Sequence, residues 1–163
     1  DMAWLYDSPR NDSFVATPTY STMSGQNFAC RVRAFDYVHG IAWRGGTDSA
    51  VLYDSERNDT FTASPTEGVM QGTGYVNRAK GFDTLKAYAS SGYDRAYLYD
   101  STGIDTLQAD SYWVKLYNTS ANYSILASSC DRVFAYSTDT TPQNIKKIGP
   151  NLASNLLYML GVW

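Results

Sequence analysis

Asp48-Ser-Ala-Val-Leu-Tyr-Asp-Ser-Glu-Arg-Asn-Asp-Thr-Phe-Thr-Ala-Ser-Pro65 is the stretch whose reading decides the fold. It occurs earlier as Asp1-Met-Ala-Trp-Leu-Tyr-Asp-Ser-Pro-Arg-Asn-Asp-Ser-Phe-Val-Ala-Thr-Pro18 and begins again at Asp94-Arg-Ala-Tyr-Leu-Tyr-Asp-Ser101. The three starts, Asp1, Asp48 and Asp94, are almost evenly spaced. Self-similarity at a fixed period of this length is the signature of a stacked repeat architecture. The chain therefore divides into copies 1–47, 48–93 and 94–139, followed by a different segment, 140–163.

A shorter pattern runs through the copies: Asp, any residue, a large apolar residue, any residue, a small residue. It reads Asp12-Phe14-Ala16, Asp36-Val38-Gly40, Asp59-Phe61-Ala63, Asp83-Leu85-Ala87, Asp105-Leu107-Ala109 and Asp131-Val133-Ala135. Its Asp positions recur in near-even steps, each close to half of the longer period. Residues two apart on a strand share a face, so the apolar and the small residue both turn toward the core. Ala3-Leu5, Ala50-Leu52 and Ala96-Leu98 repeat the arrangement, and Met23, Met70 and Leu116 recur as a third apolar position. About 23 residues suit one coil of a parallel β-helix. The expectation is an all-β chain, a parallel β-solenoid of about six coils. A β-trefoil is the alternative; it would account for the longer period but not its half.

From Thr140 the pattern fails. Ile145, Ile148, Leu152, Leu156 and Leu160 follow helical spacing. Pro150 suits a helix start and Gly161 a stop. The tail is expected to be a helix covering one end of the solenoid.

The phrase A-x-L-Y-D-S-x-x-N-D-[ST]-F-x-A-[ST]-P at Ala3–Pro18 and Ala50–Pro65 resembles a tandem repeat of large secreted and surface proteins of planctomycete-type bacteria. Gly72-Thr-Gly-Tyr75, Gly81-Phe-Asp83 and Gly45-Gly-Thr-Asp48 fit the same repeat, and the third copy departs from it after Ala109. The resemblance implies an extracellular or cell-surface location and modular use. It implies no catalytic residues. A fainter echo of calcium-binding nonapeptide repeats, at Gly103-Ile-Asp105-Thr-Leu107, lacks the nine-residue period.

Composition narrows the function. The chain is 44% hydrophobic and 18% charged, which argues against disorder. A net charge of -3 without a basic run argues against nucleic acid. No apolar stretch reaches the roughly 18 residues of a membrane helix. There is one His, His39, read as pointing away from the core, so His-dependent nucleophile and zinc chemistry is not expected. Cys30 and Cys130 lack metal spacing and are read as buried or semi-buried free thiols, too far apart to bond within one chain.

Acidic pairs flank each turn: Asp7 and Asp12, Asp54 and Asp59, Asp100 and Asp105. Recurrence marks a structural device, since Asp caps its own turn, and the enzyme reading is set aside. Stacked carboxylates repel, however, and calcium (Ca2+) takes oxygens of this kind. These six residues are the expected metal positions. Four N-x-[ST] sequons, at Asn11, Asn58, Asn118 and Asn122, are candidate glycosylation sites. The chain starts inside a repeat at Asp1, as a processed segment would. It is expected to be a structural or adhesive protein stacking on itself head to tail through Ala3, Trp4, Leu5, Leu156, Leu157, Leu160 and Trp163. The rival is a carbohydrate-binding module of a larger secreted enzyme, touching surface polysaccharide through its aromatic rows.

Overall fold

The computed structural model describes residues 1–140 and 143–163. Strands alternate inward and outward side chains, as the two-residue patterning dictates. The first copy forms β1 (Met2–Tyr6), β2 (Ser13–Ala16), β3 (Tyr20–Gly25), β4 (Phe28–Arg33) and β5 (Tyr37–Ile41). The second forms β6 (Ser49–Tyr53), β7 (Thr60–Ser64), β8 (Glu67–Gly72), β9 (Tyr75–Lys80) and β10 (Thr84–Tyr88). The third forms β11 (Arg95–Tyr99), β12 (Thr106–Asp110), β13 (Trp113–Asn118), β14 (Tyr123–Ser128) and β15 (Arg132–Tyr136). The last segment adds β16 (Ile145–Ile148) and β17 (Leu157–Leu160).

Two sheets face each other across the core. One runs β1-β5-β9-β8-β7-β11-β15-β17 and the other β16-β12-β13-β14-β10-β6-β2-β3-β4. Each copy places its first and last strands in one sheet and a three-strand antiparallel meander in the other. The second copy exchanges the two sheets. The result is a parallel β-solenoid of about four turns. Its parallel ladders pair Met2 with Tyr37, Ser49 with Thr84 and Thr84 with Ser124. The step from Val133 on β15 to Leu157 on β17 is shorter.

The six-coil count is thereby corrected. The interval from Asp12 to Asp36 is not a coil. It is the meander β2-β3-β4 plus a crossing to the opposite sheet, and a full turn is about half as long again. The expected inward residues are buried all the same: Phe14, Val38, Phe61, Leu85, Leu107 and Val133 are each at most 3% exposed. They do not form one ladder. Across neighbouring strands Phe14 meets Ala50, which meets Leu85, and Phe61 meets Ala96, which meets Val133. Ala16, Leu52 and Ala87 run the other way. Because the copies swap sheets, a large side chain lies beside a small one, which fills a narrow core without overpacking. Gly40 shows how close the approach is: a Cβ there would stand 2.6 Å from the Phe14 ring.

The tail is a second correction. It holds no helix among its described residues. β16 pairs in parallel with β12, and β17 with β15. An open sheet edge offers unpaired backbone groups, and pairing them outweighs the helical spacing of the leucines. Leu156 is buried beside that edge, and its carbonyl accepts the Val133 N–H at 2.6 Å.

Candidate functional site: stacked acidic corners

The corner between the first and second strand of each copy is where the repeated polar residues converge. A strand ladder leaves N–H groups unpaired where the chain turns, and buried N–H groups need acceptors. In the second copy Asp54 meets this need for the next turn: its Oδ2 accepts the Ser90 N–H at 2.6 Å and its Oδ1 the Ser90 hydroxyl at 2.8 Å. Asp59 closes its own turn, accepting the Ser55 N–H at 2.9 Å and hydroxyl at 2.7 Å. Asn58 accepts the Tyr93 N–H at 2.9 Å. Asp59 in turn donates its backbone N–H to Asp94 Oδ1 at 2.8 Å, and Asp94 donates its own to Asp131 Oδ2 at 2.7 Å.

The first copy repeats this set. Arg44 N–H donates to Asp7, Ser8 N–H to Asp12, Thr47 N–H to Asn11 and Asp12 N–H to Asp48, each at 2.7 or 2.8 Å. In the third copy Thr138 N–H donates to Asp100, Ser101 hydroxyl to Asp105, and Asp105 N–H to Asn144. The motif L-Y-D-S-x-x-N-D thus specifies hydrogen bonds from one turn to the next.

The expected metal positions come together in part. Asp54 and Asp59 are joined by Asp94, which the sequence pattern does not bring in, with carboxylate oxygens within 4.8 Å of one another. Asp100 and Asp105 are joined in the same way by Asp139. Asp94 lies one turn beyond Asp59 in the parallel ladder, so its arrival follows from the true turn length. The Tyr75 hydroxyl donates to Asp59 at 3.0 Å, and the Tyr123 hydroxyl donates to Asp105. The first copy has Phe28 at the matching position.

Electrostatics sets these corners apart. Among the described residues the ion pairs are the N-terminal amine with Asp36 and Arg78 with Glu67, so no cationic side chain neutralises the corner carboxylates. Burial pushes the Asp94 carboxyl up to about 6, helped by the charges of Asp54, Asp59 and Asp131 and opposed by the Asp59 N–H. Burial also raises Asp48, Asp54 and Asp105. It raises the Tyr75 and Tyr123 phenols, next to Asp59 and Asp105, and pushes the nearby Cys130 thiol up to about 12.

Compared with known proteins, the chain matches no family model, no curated protein and no solved structure.

The remaining expected residues are distributed as follows. Asn11, Asn58 and Asn122 are exposed, whereas Asn118 is buried and its Oδ1 accepts the Ser120 and Ala121 N–H groups. Cys130 is buried, but Cys30 is exposed on β4, contrary to the expectation of two sheltered thiols: β4 is the edge strand of its sheet, and Cys30, beside Met23 in the ladder, lies at the open rim of the inward face. His39 is half-buried on the outer face of β5 and stacks on Trp4 with ring centroids 4.3 Å apart. Of the assembly residues, Ala3, Leu5 and Leu156 are buried, Leu157 and Trp163 are half-buried, and Trp4 and Leu160 are exposed.

Proposed function

We propose that this chain is a structural or adhesive module of the extracellular space that stacks end to end with its own copies. The observation that carries this reading is the pair of edges on one sheet that no further strand covers among the described residues. β1 and β17 are its outermost strands, and they run parallel to each other. Tyr37 N–H donates to Asp1 and Asp7 N–H donates to Ile41, which turns the odd-numbered residues of β1 toward β5. In a parallel ladder the alternate residues face the other way, so Met2, Trp4 and Tyr6 offer their backbone groups outward. At the far end, Leu156 and Leu160 carbonyls accept from β15 and the residue after it, which leaves Leu157 and Met159 facing outward. A second copy displaced along the axis would continue the sheet without reversing a strand. Exposed Met2 and Trp4 at one end and Met159 and Leu160 at the other supply apolar surface to bury.

The aromatic rows support this reading over a sugar-binding platform. Tyr53 stacks on Tyr88, Tyr99 on Tyr136, and Tyr97 on Phe134 on Tyr158, with centroids 4.8 to 5.6 Å apart. Their faces are turned to each other, so they stitch successive strands together and leave mostly ring edges for a ligand. The acidic corner of the second copy supports a non-catalytic reading, because the gap between Asp54, Asp59 and Asp94 is too narrow for a substrate. Sedimentation velocity of the full chain over a concentration series tests the proposal. Species growing in monomer steps are expected; a single monomer peak at every concentration would overturn it.

A further inference from the structure

We propose that Asp54, Asp59 and Asp94 form a binding site for a hard divalent cation of the calcium type. The inference goes beyond end-to-end stacking and does not depend on it.

Three acidic residues alone would not make a site. The further observation is Asp94 Oδ2. Asp94 is 3% exposed, and this oxygen is buried with no hydrogen-bond partner among the described residues. Its sister oxygen is used by the Asp59 N–H, and both oxygens of Asp54 and of Asp59 have donors. A buried carboxylate oxygen without a donor is costly. Among the described residues no lysine or arginine pairs with the cluster. Water does not solve the problem, since the gap between the three carboxylates is too tight to hold one. A cation does. Two oxygens that each sit about 2.4 Å from one calcium ion are at most about 4.8 Å apart. The three carboxylates meet that limit. The donor set is all oxygen, which suits a hard ion.

A second acidic cluster lies in the third copy, where Asn144 takes the place of Asp94 and Asp139 brings the third carboxylate. The third-copy cluster of Asp100, Asp105 and Asp139 also carries one buried oxygen without a partner among the described residues, Asp139 Oδ2. An ion held by Asp54 and Asp59 from one turn and Asp94 from the next would clamp successive turns at their corner.

The test is calorimetric titration of the chelator-treated full chain with calcium chloride, paired with thermal melts in calcium and in chelator. Saturable binding and a rise in Tm with calcium are expected. Asp94→Asn keeps the acceptor for the Asp59 N–H and removes the charge; it is expected to bind one calcium fewer per chain. Asp54→Asn gives the same reading should the first variant not fold. Glu56→Gln, an exposed change on the same turn, should bind like the parent. A parent chain with neither binding heat nor a calcium-dependent Tm would overturn the proposal, even if acid stabilised it, because protons alone would then relieve the cluster. Full retention of binding by Asp94→Asn and Asp54→Asn would overturn it as well.

Discussion

Phe61 illustrates how much one side chain carries in a narrow core between two sheets. It is 1% exposed, packs beside Ala96 across the ladder and faces Gly68, where a Cβ would stand 3.2 Å from its ring. Phe61→Ala should cost about 3 to 5 kcal/mol, because neighbours fixed in sheets collapse poorly into the cavity. The converse change tests the large–small alternation: Ala50→Leu, set between Phe14 and Leu85, should cost about 1 to 3 kcal/mol by overpacking. Denaturant unfolding reads both. His39 carries a pH dependence. Burial and the Arg78 guanidinium opposite both disfavour its imidazolium, so its folded pKa lies below the ordinary value. The unfolded chain then takes up the proton first. This contribution to stability is complete above about pH 6.5 and is lost as pH falls below it. His39→Phe recreates the aromatic pair that Phe134 makes with Tyr97 in the third copy. Its stability should no longer carry this part of the decline between neutral and mildly acid pH. A decline identical in both proteins would remove His39 as its source.

Strands β16 and β17 are held less by their own sequences than by the edges they cover. β16 is exposed along its length, and its anchor is Asn144 just before it. The Asn144 side chain accepts the Asp105 N–H at 2.8 Å and donates to Asp100 at 2.9 Å and to the Ser137 hydroxyl at 3.1 Å. In the earlier copies Asp48 and Asp94 accept the equivalent N–H. Asn144→Ala should cost about 1 to 3 kcal/mol, and amide exchange should quicken first in β16 and β12. This explains what the sequence can and cannot convey about the elements. The inward faces of β2, β5, β7, β10, β12 and β15 are legible, because Asp-x-apolar-x-small is a two-residue pattern anchored by a turn residue, whereas β4, β9 and β14 carry no such pattern. Strand partners are not, since the shorter period by itself cannot distinguish a coil from a meander plus a crossing. The tail misleads for a related reason: helical spacing in a short segment competes with an open edge that only the folded repeats create. The acidic corners are half legible. Asp54 and Asp59 share one turn, whereas Asp94 reaches them only through the ladder offset between turns.

On the scale of the whole molecule, the two sheets end differently, and the difference predicts how copies meet. The sheet bounded by β1 and β17 ends in Met-Ala-Trp-Leu-Tyr and Leu-Tyr-Met-Leu. The other is bounded by β4, with Arg31 and Arg33, and by β16, with Lys146 and Lys147. Cationic edge strands guard against indiscriminate pairing. In a head-to-tail contact they would face each other while the apolar strands pair. Screening weakens repulsion between exposed charges, with a Debye length of about 10 Å at 0.1 M salt. Association should therefore strengthen as sodium chloride rises, and weakening with salt would exclude this arrangement. The contact is also heterologous, one end meeting the other. Trp4→Pro removes an outward N–H from β1, and Met159→Pro removes one from β17; edge positions tolerate proline because no ladder bond is lost. Each variant alone keeps one working end and should remain monomeric. Mixed, the intact β17 of the first can pair only with the intact β1 of the second, so sedimentation should show a one-to-one dimer that grows no further. A symmetric contact between like ends would give a different result: one variant would dimerise by itself and mixing would add nothing.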